Sequence, residues 1–190
     1  MAMVMTKKKQ VKAPNSIHDF GGFLKKLKLL GNAAEVGVAE GRFSFDMLNW
    51  GFKKLYMIDV WDQIPGQKGD ASMPPSWHAK NFEGAKQRVK PFGDKAVMLK
   101  GFSKDMAANI PDGSLDFVYL DGNHNYDGVT EDLNAYLPKV KKGGIIAGHD
   151  YHDGYGVKAA VDDFAGKNVN VLPEKAIENQ GFWFYADTVR

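Results

Sequence analysis

Short apolar runs alternate along the chain with longer segments in which apolar residues recur every three or four positions. The first such helical segment covers residues 17–30, with apolar positions Phe20, Phe23, Leu24, Leu27 and Leu30. Further helices are predicted over residues 41–50, 77–90, 126–140 and 157–165. The apolar runs predict strands over residues 33–38, 55–58, 96–99, 115–120, 145–148, 169–172 and 182–185. This alternation predicts an α/β fold, a doubly wound and mostly parallel sheet covered by helices on both faces.

Two further features of the pattern concern the loops. The short link between the last two strands favours an antiparallel pairing of residues 169–172 with residues 182–185. The segment 62–77 is punctuated by proline and glycine, which predicts a loop of functional length and a candidate lid, at Pro65, Gly66, Gly69, Pro74 and Pro75.

The composition fits one domain. The chain has 190 residues, of which 44% are hydrophobic, enough for a proper core. The absence of cysteine excludes disulfides, thiolate zinc sites and a cysteine nucleophile, and it fits a cytoplasmic protein. The sequence carries neither an apolar run of membrane-spanning length nor a signal-peptide pattern, so no membrane partner is expected.

The net charge of +2 comes from one end of the chain. Four lysines and no acid lie within residues 1–17, and the remainder holds 21 basic and 23 acidic residues. We therefore predict a disordered basic tail at residues 1–16 and a single domain at residues 17–190. The domain shows no concentrated basic face, so a nucleic-acid partner is not expected.

Ligands of open α/β sheets bind beyond the carboxyl ends of the strands, and informative residues follow five predicted strands. The first is the glycine turn at residues 35–41, which offers Glu35, Gly37 and Gly41 as cofactor-binding candidates. Its Gly-x-x-x-Gly spacing differs from the dinucleotide fingerprint and disfavours NAD. Asp59 ends the second strand and is placed to accept hydrogen bonds from ribose hydroxyls, and Ser103 follows the third near an adenine edge.

The fourth and fifth strand ends carry the candidate reaction centre. Asp121 and His124 follow one strand, and His149 and Asp150 follow the other. Two carboxylates with water and a substrate oxygen suit Mg²⁺ or a similar hard cation, so Asp121 and Asp150 are candidate metal ligands. Either histidine is a competent base near neutral pH. Asp121, His124 and His149 are therefore the candidate catalytic residues.

On these residues the sequence resembles the class I S-adenosylmethionine-dependent methyltransferases. Within that class it is similar to methyltransferase family 24, a branch related to macrocin-type sugar O-methyltransferases. The matching segments cover residues 35–41, 56–61, 116–126, 143–151 and 156–164. The pairing of Asp121-Gly122-Asn123-His124 with Gly148-His149-Asp150-Tyr151 is more specific than the glycine turn.

The resemblance implies a Rossmann-like sheet of seven strands in which the last strand inserts antiparallel. It implies that S-adenosylmethionine is held by Glu35, Gly37, Asp59 and Ser103, with Gly41 and Asp121 as further candidates. Related enzymes place a metal on the equivalents of Asp121 and Asp150 and a catalytic histidine at the position of His124. Where they have an acid this chain has His149, so metal-assisted and metal-free mechanisms both stay open.

The expected function is methylation of a sugar or another small hydroxylated acceptor. The alternatives are a cofactor-binding protein without transfer activity and another enzyme class on the same scaffold, such as an NAD-dependent oxidoreductase. Whether the chain forms a homo-oligomer stays open, because the sequence shows no interface.

The aromatic residues near the motifs fit either an acceptor pocket or core packing, and they are Trp61, Trp77, Tyr126 and Tyr151. Acidic residues of two later helices are predicted on solvated faces, at Asp127, Glu131, Asp132, Asp162 and Asp163.

Overall fold

The predicted alternation forms a single seven-stranded sheet in a computed structural model, which describes residues 11–172 and 180–189. The strand order is β3-β2-β1-β4-β5-β7-β6, and the first five strands of this order pair in parallel. Strand β7 lies antiparallel between β5 and β6. The α/β fold class and the inserted antiparallel strand are confirmed. The strand bounds are Asn32–Val36 for β1, Lys54–Asp59 for β2, Ala96–Lys100 for β3, Leu115–Leu120 for β4, Val140–Gly148 for β5, Asn170–Val171 for β6 and Phe182–Tyr185 for β7.

Helices cover both faces of the sheet. Their bounds are Phe20–Leu27 for α1, Arg42–Trp50 for α2, Pro75–Val89 for α3, Ser103–Met106 for α4, Tyr126–Tyr136 for α5 and Val157–Ala165 for α6. Two apolar clusters fill the space between the helices and the sheet. One lies beneath α5 and α6, with Leu133 and Val161 fully buried, and the other beneath α1, α2 and α3, with Leu24 and Met47 fully buried.

Several element ends differ from the predicted ones. The largest difference at a strand is in β5, which begins at Val140 rather than at residue 145. Three other ends differ for a plain local reason. Strand β1 stops at Val36 rather than residue 38, because Gly37 turns the chain with a φ of +86°. Helix α5 stops at Tyr136, since Pro138 lacks the amide that would continue an α-helix. Helix α1 ends at Leu27, where Lys28 adopts a left-handed φ of +62°.

The loop after β2 is shorter than predicted, because α3 begins at Pro75. Proline is favoured at the first position of a helix, where its missing amide costs nothing. The loop contains one turn of 3-10 helix at Gly69–Ser72. Its role as a lid stays a prediction.

The predicted basic tail lies largely outside the described residues, which begin at Val11. Of residues 11–16, Pro14 is buried and Val11 packs against the second cluster. Within the described part of the chain, every helix is too short or too polar to cross a membrane.

Candidate active site

The turns after β1 and β4 touch each other through their backbones. The amide of Asp121 donates a 2.8 Å hydrogen bond to the carbonyl oxygen of Val36, the last residue of β1. A Cβ atom at position 37 would lie only 1.9 Å from the carbonyl oxygen of Asp121. Glycine is therefore required at Gly37, and the glycine turn lies directly against the candidate reaction centre.

Gly41 has a packing role in addition to its predicted contact with a cofactor. Its φ is +75°, and it precedes α2 as the N-cap residue. An added Cβ atom would lie 3.0 Å from the Cα of Ala85 on α3. The glycine lets α3 approach the start of α2 closely.

Glu35 lies beneath the glycine turn and is 2% exposed. Its carboxyl group accepts a hydrogen bond from the hydroxyl of Ser44 in the first turn of α2. Burial raises the pKa of Glu35 well above its usual value. The hydrogen bond between Glu35 and Ser44 thus joins β1 to α2, and a contact between Glu35 and a cofactor stays a prediction.

Asp59 connects the turns after β1 and β2. One carboxylate oxygen accepts from the amides of Val38 at 2.9 Å and Ala39 at 2.8 Å, and the other accepts from the amide of Trp61 at 2.8 Å. The indole of Trp61 donates to the carbonyl oxygen of Ala39 at 2.7 Å and is 2% exposed. Asp59 and Trp61 therefore shape the glycine turn, and Trp61 is a packing residue rather than part of an open pocket.

Ser103 is the first residue of α4, directly after the turn that ends β3. Its hydroxyl donates a hydrogen bond to the carboxyl group of Asp132 on α5. Asp132 is 4% exposed, so its predicted place on a solvated helix face is wrong.

Tyr151, like Trp61 an aromatic candidate for the acceptor pocket, follows the end of β5. It is 7% exposed, and its hydroxyl donates a 2.5 Å hydrogen bond to the carboxylate of Asp162. Tyr151 therefore packs against the core.

Three of the predicted residues converge at the ends of β4 and β5. The structure brings Asp121, His124 and Asp150 together so that one ligand atom of each lies within 4.8 Å of the others. The Nε2 atom of His124 is 3.6 Å from Oδ1 of Asp121 and 3.3 Å from Oδ2 of Asp150. His149 lies beside them, with Nδ1 at 3.3 Å from Oδ2 of Asp150.

The ionisation of this cluster follows from its crowding. Loss of hydration raises the pKa of Asp121, although part of its side chain reaches solvent. The neighbouring carboxylate of Asp121 raises the pKa of His124. Burial opposes ionisation of Asp150, but the hydrogen bond from His149 and the charges of the histidines outweigh it and lower the pKa of Asp150.

Two observations suit this cluster to a divalent cation. The Nε2 atom of His124 is buried and makes no hydrogen bond of good geometry to any described residue. Asp150 adopts a left-handed φ of +56°, a strained backbone that is uncommon for a residue other than glycine and clusters at functional sites. An imidazole nitrogen that lacks a hydrogen bond and lies between two carboxylates supplies, together with them, three ligand atoms of kinds that bind divalent metals.

Two residues of this region were missed in the sequence. His152 places Nε2 at 3.8 Å from Oδ1 of Asp150, and Tyr155 is 51% exposed. The ring centroid of Tyr155 lies 5.2 Å from that of His124 and 4.9 Å from that of His152. The signal for His152 was its position two residues after Asp150. Tyr155 lies in an irregular loop, where no periodicity marks the direction of a side chain.

Two curated proteins match part of the chain. An uncharacterized protein of Acanthamoeba polyphaga mimivirus is 31% identical over 63% of this chain and 51% of its own. A Streptomyces olivaceus protein, named 8-demethyl-8-(2,3-dimethoxy-alpha-L-rhamnosyl)-tetracenomycin-C 4'-O-methyltransferase, is 25% identical over 60% of this chain and 46% of its own. The chain spans about half the length of the curated relatives it matches.

Solved structures share the fold over most of the chain. The O-methyltransferase NovP superposes with a TM-score of 0.63 at 21% identity, covering 88% of this chain and 76% of its own. An O-methyltransferase from Bacillus cereus, solved in complex with SAH, gives a TM-score of 0.64 at 11% identity, with coverage of 92% and 83%. At these identities the likeness establishes the fold.

The family follows from the sequence match together with this fold. The model of a methyltransferase domain, family 24, matches residues 34–151, which is more than half of the chain. The match includes the glycine turn, Asp59, Ser103 and the cluster of Asp121, His124 and Asp150. The chain therefore belongs to methyltransferase family 24, within the class I S-adenosylmethionine-dependent methyltransferases.

Proposed function

We propose that the chain transfers the methyl group of S-adenosylmethionine to a hydroxyl oxygen of a small acceptor, such as a sugar. The observation that carries this proposal is the cluster of Asp121, His124 and Asp150, which adjoins the glycine turn through the contact between Gly37 and Asp121. A base beside a cofactor turn is the arrangement that O-methylation needs. The family and the SAH complex of the Bacillus cereus structure support the choice of cofactor.

The residues of the other strand ends would hold the cofactor. The backbone of the glycine turn would approach the ligand closely, and Asp59 accepts hydrogen bonds from this turn where ribose hydroxyls would bind. Ser103 stands at the end of β3, on the side where the adenine would lie. Asp121 joins the cofactor region to the reaction centre.

The chemistry asks little more of the protein than orientation and a proton acceptor, because the sulfonium of the cofactor already activates the methyl group. The acceptor oxygen attacks the methyl carbon, the carbon–sulfur bond breaks, and the hydroxyl proton passes to an imidazole. His124 is the better placed base, since Asp121 and Asp150 flank its Nε2 atom and would stabilise the imidazolium that forms. His149 is the second candidate, because it contacts Asp150 from the other side.

A metal-assisted form of this reaction is part of the proposal. Asp121 and Asp150 would hold a divalent cation, with Nε2 of His124 as a third ligand that the sequence did not suggest. In this form the lone pair of that nitrogen would be taken by the cation, so His149 rather than His124 would accept the proton. Such a cation would lower the pKa of a bound hydroxyl group. The two carboxylates suit Mg²⁺, and the imidazole nitrogen favours Mn²⁺ or Zn²⁺ over it.

A ring-shaped acceptor fits the surroundings of the cluster. Tyr155 offers an exposed aromatic face beside His124, and aromatic faces bind the apolar sides of planar rings and sugars. The name of the Streptomyces olivaceus relative describes methylation on a rhamnosyl group, which supports a sugar for this chain.

The experiment has two stages. Calorimetry with S-adenosylhomocysteine first tests cofactor binding, and we expect a saturable heat for the folded wild type. A panel of glycosides, nucleotide sugars and catechols is then incubated with methyl-labelled S-adenosylmethionine and Mg²⁺ or Mn²⁺. Label transferred to a glycoside or nucleotide sugar supports the proposal. A folded protein that binds no S-adenosylhomocysteine would contradict it.

A further inference from the structure

Asp132 is a buried carboxyl group placed between two turns of the candidate active site. It lies on α5, 4% exposed, and accepts a hydrogen bond from the hydroxyl of Ser103 in the turn after β3. Its other oxygen faces the turn after β4, since a Cβ atom at Gly122 would lie 3.8 Å from Oδ2. One side chain therefore connects the predicted adenine end of the site with its reaction centre.

The same helix holds Ser103 a second time. The hydroxyl of Tyr136 donates a 3.0 Å hydrogen bond to the carbonyl oxygen of Ser103, and Tyr136 is fully buried. Ser103 is thus fixed through its backbone as well as its side chain. A serine needed only to begin a four-residue helix requires neither contact.

The protonation of Asp132 determines which way the hydroxyl of Ser103 points. Burial raises the pKa of Asp132 to about 6, against the opposing hydrogen bond from Ser103. At pH 8 the group is therefore a carboxylate, which accepts hydrogen bonds and cannot donate one. The hydroxyl hydrogen of Ser103 is committed to Asp132, and only the lone pairs of its oxygen remain for a ligand.

We propose that Asp132 is a positioning residue that fixes the hydroxyl of Ser103 as a hydrogen-bond acceptor for the amino group of the cofactor's adenine. The inference rests on the proposed function, because it requires a cofactor at Ser103. Adenine carries a donor at its exocyclic nitrogen, whereas a 6-oxo purine carries an acceptor there. A serine oxygen held as an acceptor favours adenine and disfavours the 6-oxo ring.

The test compares two ligands that differ only at this edge of the purine. Calorimetry at pH 8 gives the Kd of S-adenosylhomocysteine and of S-inosylhomocysteine for each protein. For the wild type we expect a preference for the adenine ligand on the order of tenfold, the effect of one mismatched hydrogen bond. In Asp132→Asn the amide both donates and accepts, so Ser103 is free to reverse and the preference falls to about twofold.

Two further variants separate positioning from a general structural effect. Ser103→Ala removes the hydroxyl itself and should reduce the preference as Asp132→Asn does, and the double variant should reduce it no further. Glu131→Gln is the matched control, because Glu131 is the neighbouring acid on α5 but pairs with Lys104 at 2.8 Å on the exposed side. It should keep the wild-type preference. A loss of packing would weaken the binding of both ligands alike and leave the ratio of their Kd values unchanged.

The outcomes are distinct. A wild-type ratio retained in Asp132→Asn overturns the inference, and so does a ratio retained in Ser103→Ala should the first variant fail to fold. An effect of Asp132→Asn that persists in the Ser103→Ala background would also overturn it. A folded wild type that binds neither ligand contradicts the proposed function itself, whereas binding without discrimination contradicts only the inference.

Discussion

The Nε2 atom of His124 lies 3.3 Å from Oδ2 of Asp150, buried and without a hydrogen bond of good geometry to any described residue. A buried polar atom left in this way is costly unless something else satisfies it. A divalent cation shared with Asp121 would do so.

Asp150→Ala and His124→Ala should each weaken the binding of Mn²⁺ on the order of tenfold or more, since each removes a ligand. Calorimetry with Mn²⁺ on chelator-treated protein measures the effect. EDTA should lower methyl transfer in the wild type, and Mg²⁺ or Mn²⁺ should restore it. Asp153→Ala is the control, because Asp153 lies in the same loop with a side chain 93% exposed. Wild-type protein that binds no cation and transfers methyl groups in EDTA would show a metal-free mechanism.

His124→Ala should lower the rate of methyl transfer by about 10²- to 10⁴-fold, the usual effect of removing a general base. Its affinity for S-adenosylhomocysteine should stay near that of the wild type, because His124 is not a predicted cofactor contact. Single-turnover rates and calorimetry provide the two measurements. His18→Ala, an exposed histidine far along the chain from the cluster, is the control. A larger loss in His149→Ala than in His124→Ala would identify His149 as the base.

Gly37→Ala should destabilise the protein by more than about 3 kcal/mol, because the new Cβ atom meets a backbone carbonyl at 1.9 Å that cannot move aside cheaply. Gly113→Ala is the matched control. Gly113 also has a positive φ, of +61°, but nothing lies within 4 Å of its added Cβ. It should cost only the backbone strain of about 1 kcal/mol. Urea unfolding measures both, and equal costs would contradict the close contact between the two turns.

The free energy of unfolding should depend on pH through Asp132. Its pKa is raised to about 6 in the folded protein from 3.8, so the folded state binds more protons between these values. Stability should therefore fall as pH rises from about 4 to about 6, by up to about 3 kcal/mol from this group, and then stay level. Around Asp132 stand Ser103 and Tyr136 as uncharged groups, and Glu131 with its partner Lys104 as charged ones.

The difference between wild type and Asp132→Asn isolates this contribution, since Glu35 has a raised pKa as well and adds a slope of the same sign. Urea unfolding of both proteins from pH 4 to pH 8 gives the two profiles. Parallel profiles would mean that Asp132 titrates normally and is not desolvated as its burial indicates.

The sequence predicts the inner strands of the sheet well, because these strands are buried on both faces and consist mainly of apolar residues. Strand β4 and helix α6 have the predicted bounds, and the residues at five strand ends reach one edge as parallel strands require. The four-residue helix α4 was missed, since one helical turn is too short to show a period.

Helical spacing alone points to a buried position for Asp132. It lies three residues after Val129 and four before Tyr136, and both are buried, so helical spacing places it on the inner face of α5. Its charge suggested solvent instead, because an unpaired acid is rarely buried. Its partner Ser103 lies on another element, and a contact across 29 residues has no local pattern.

The two edge strands of the sheet affect whether separate chains of this protein can associate by strand pairing. Strand β6 is only the exposed pair Asn170–Val171, and β3, at the opposite margin, is bracketed by the exposed lysines Lys95 and Lys100. A very short edge strand and a positively charged edge strand are both poor templates for pairing with a strand of another chain. Even at high concentration, separate chains should therefore not join edge to edge into continuous sheets.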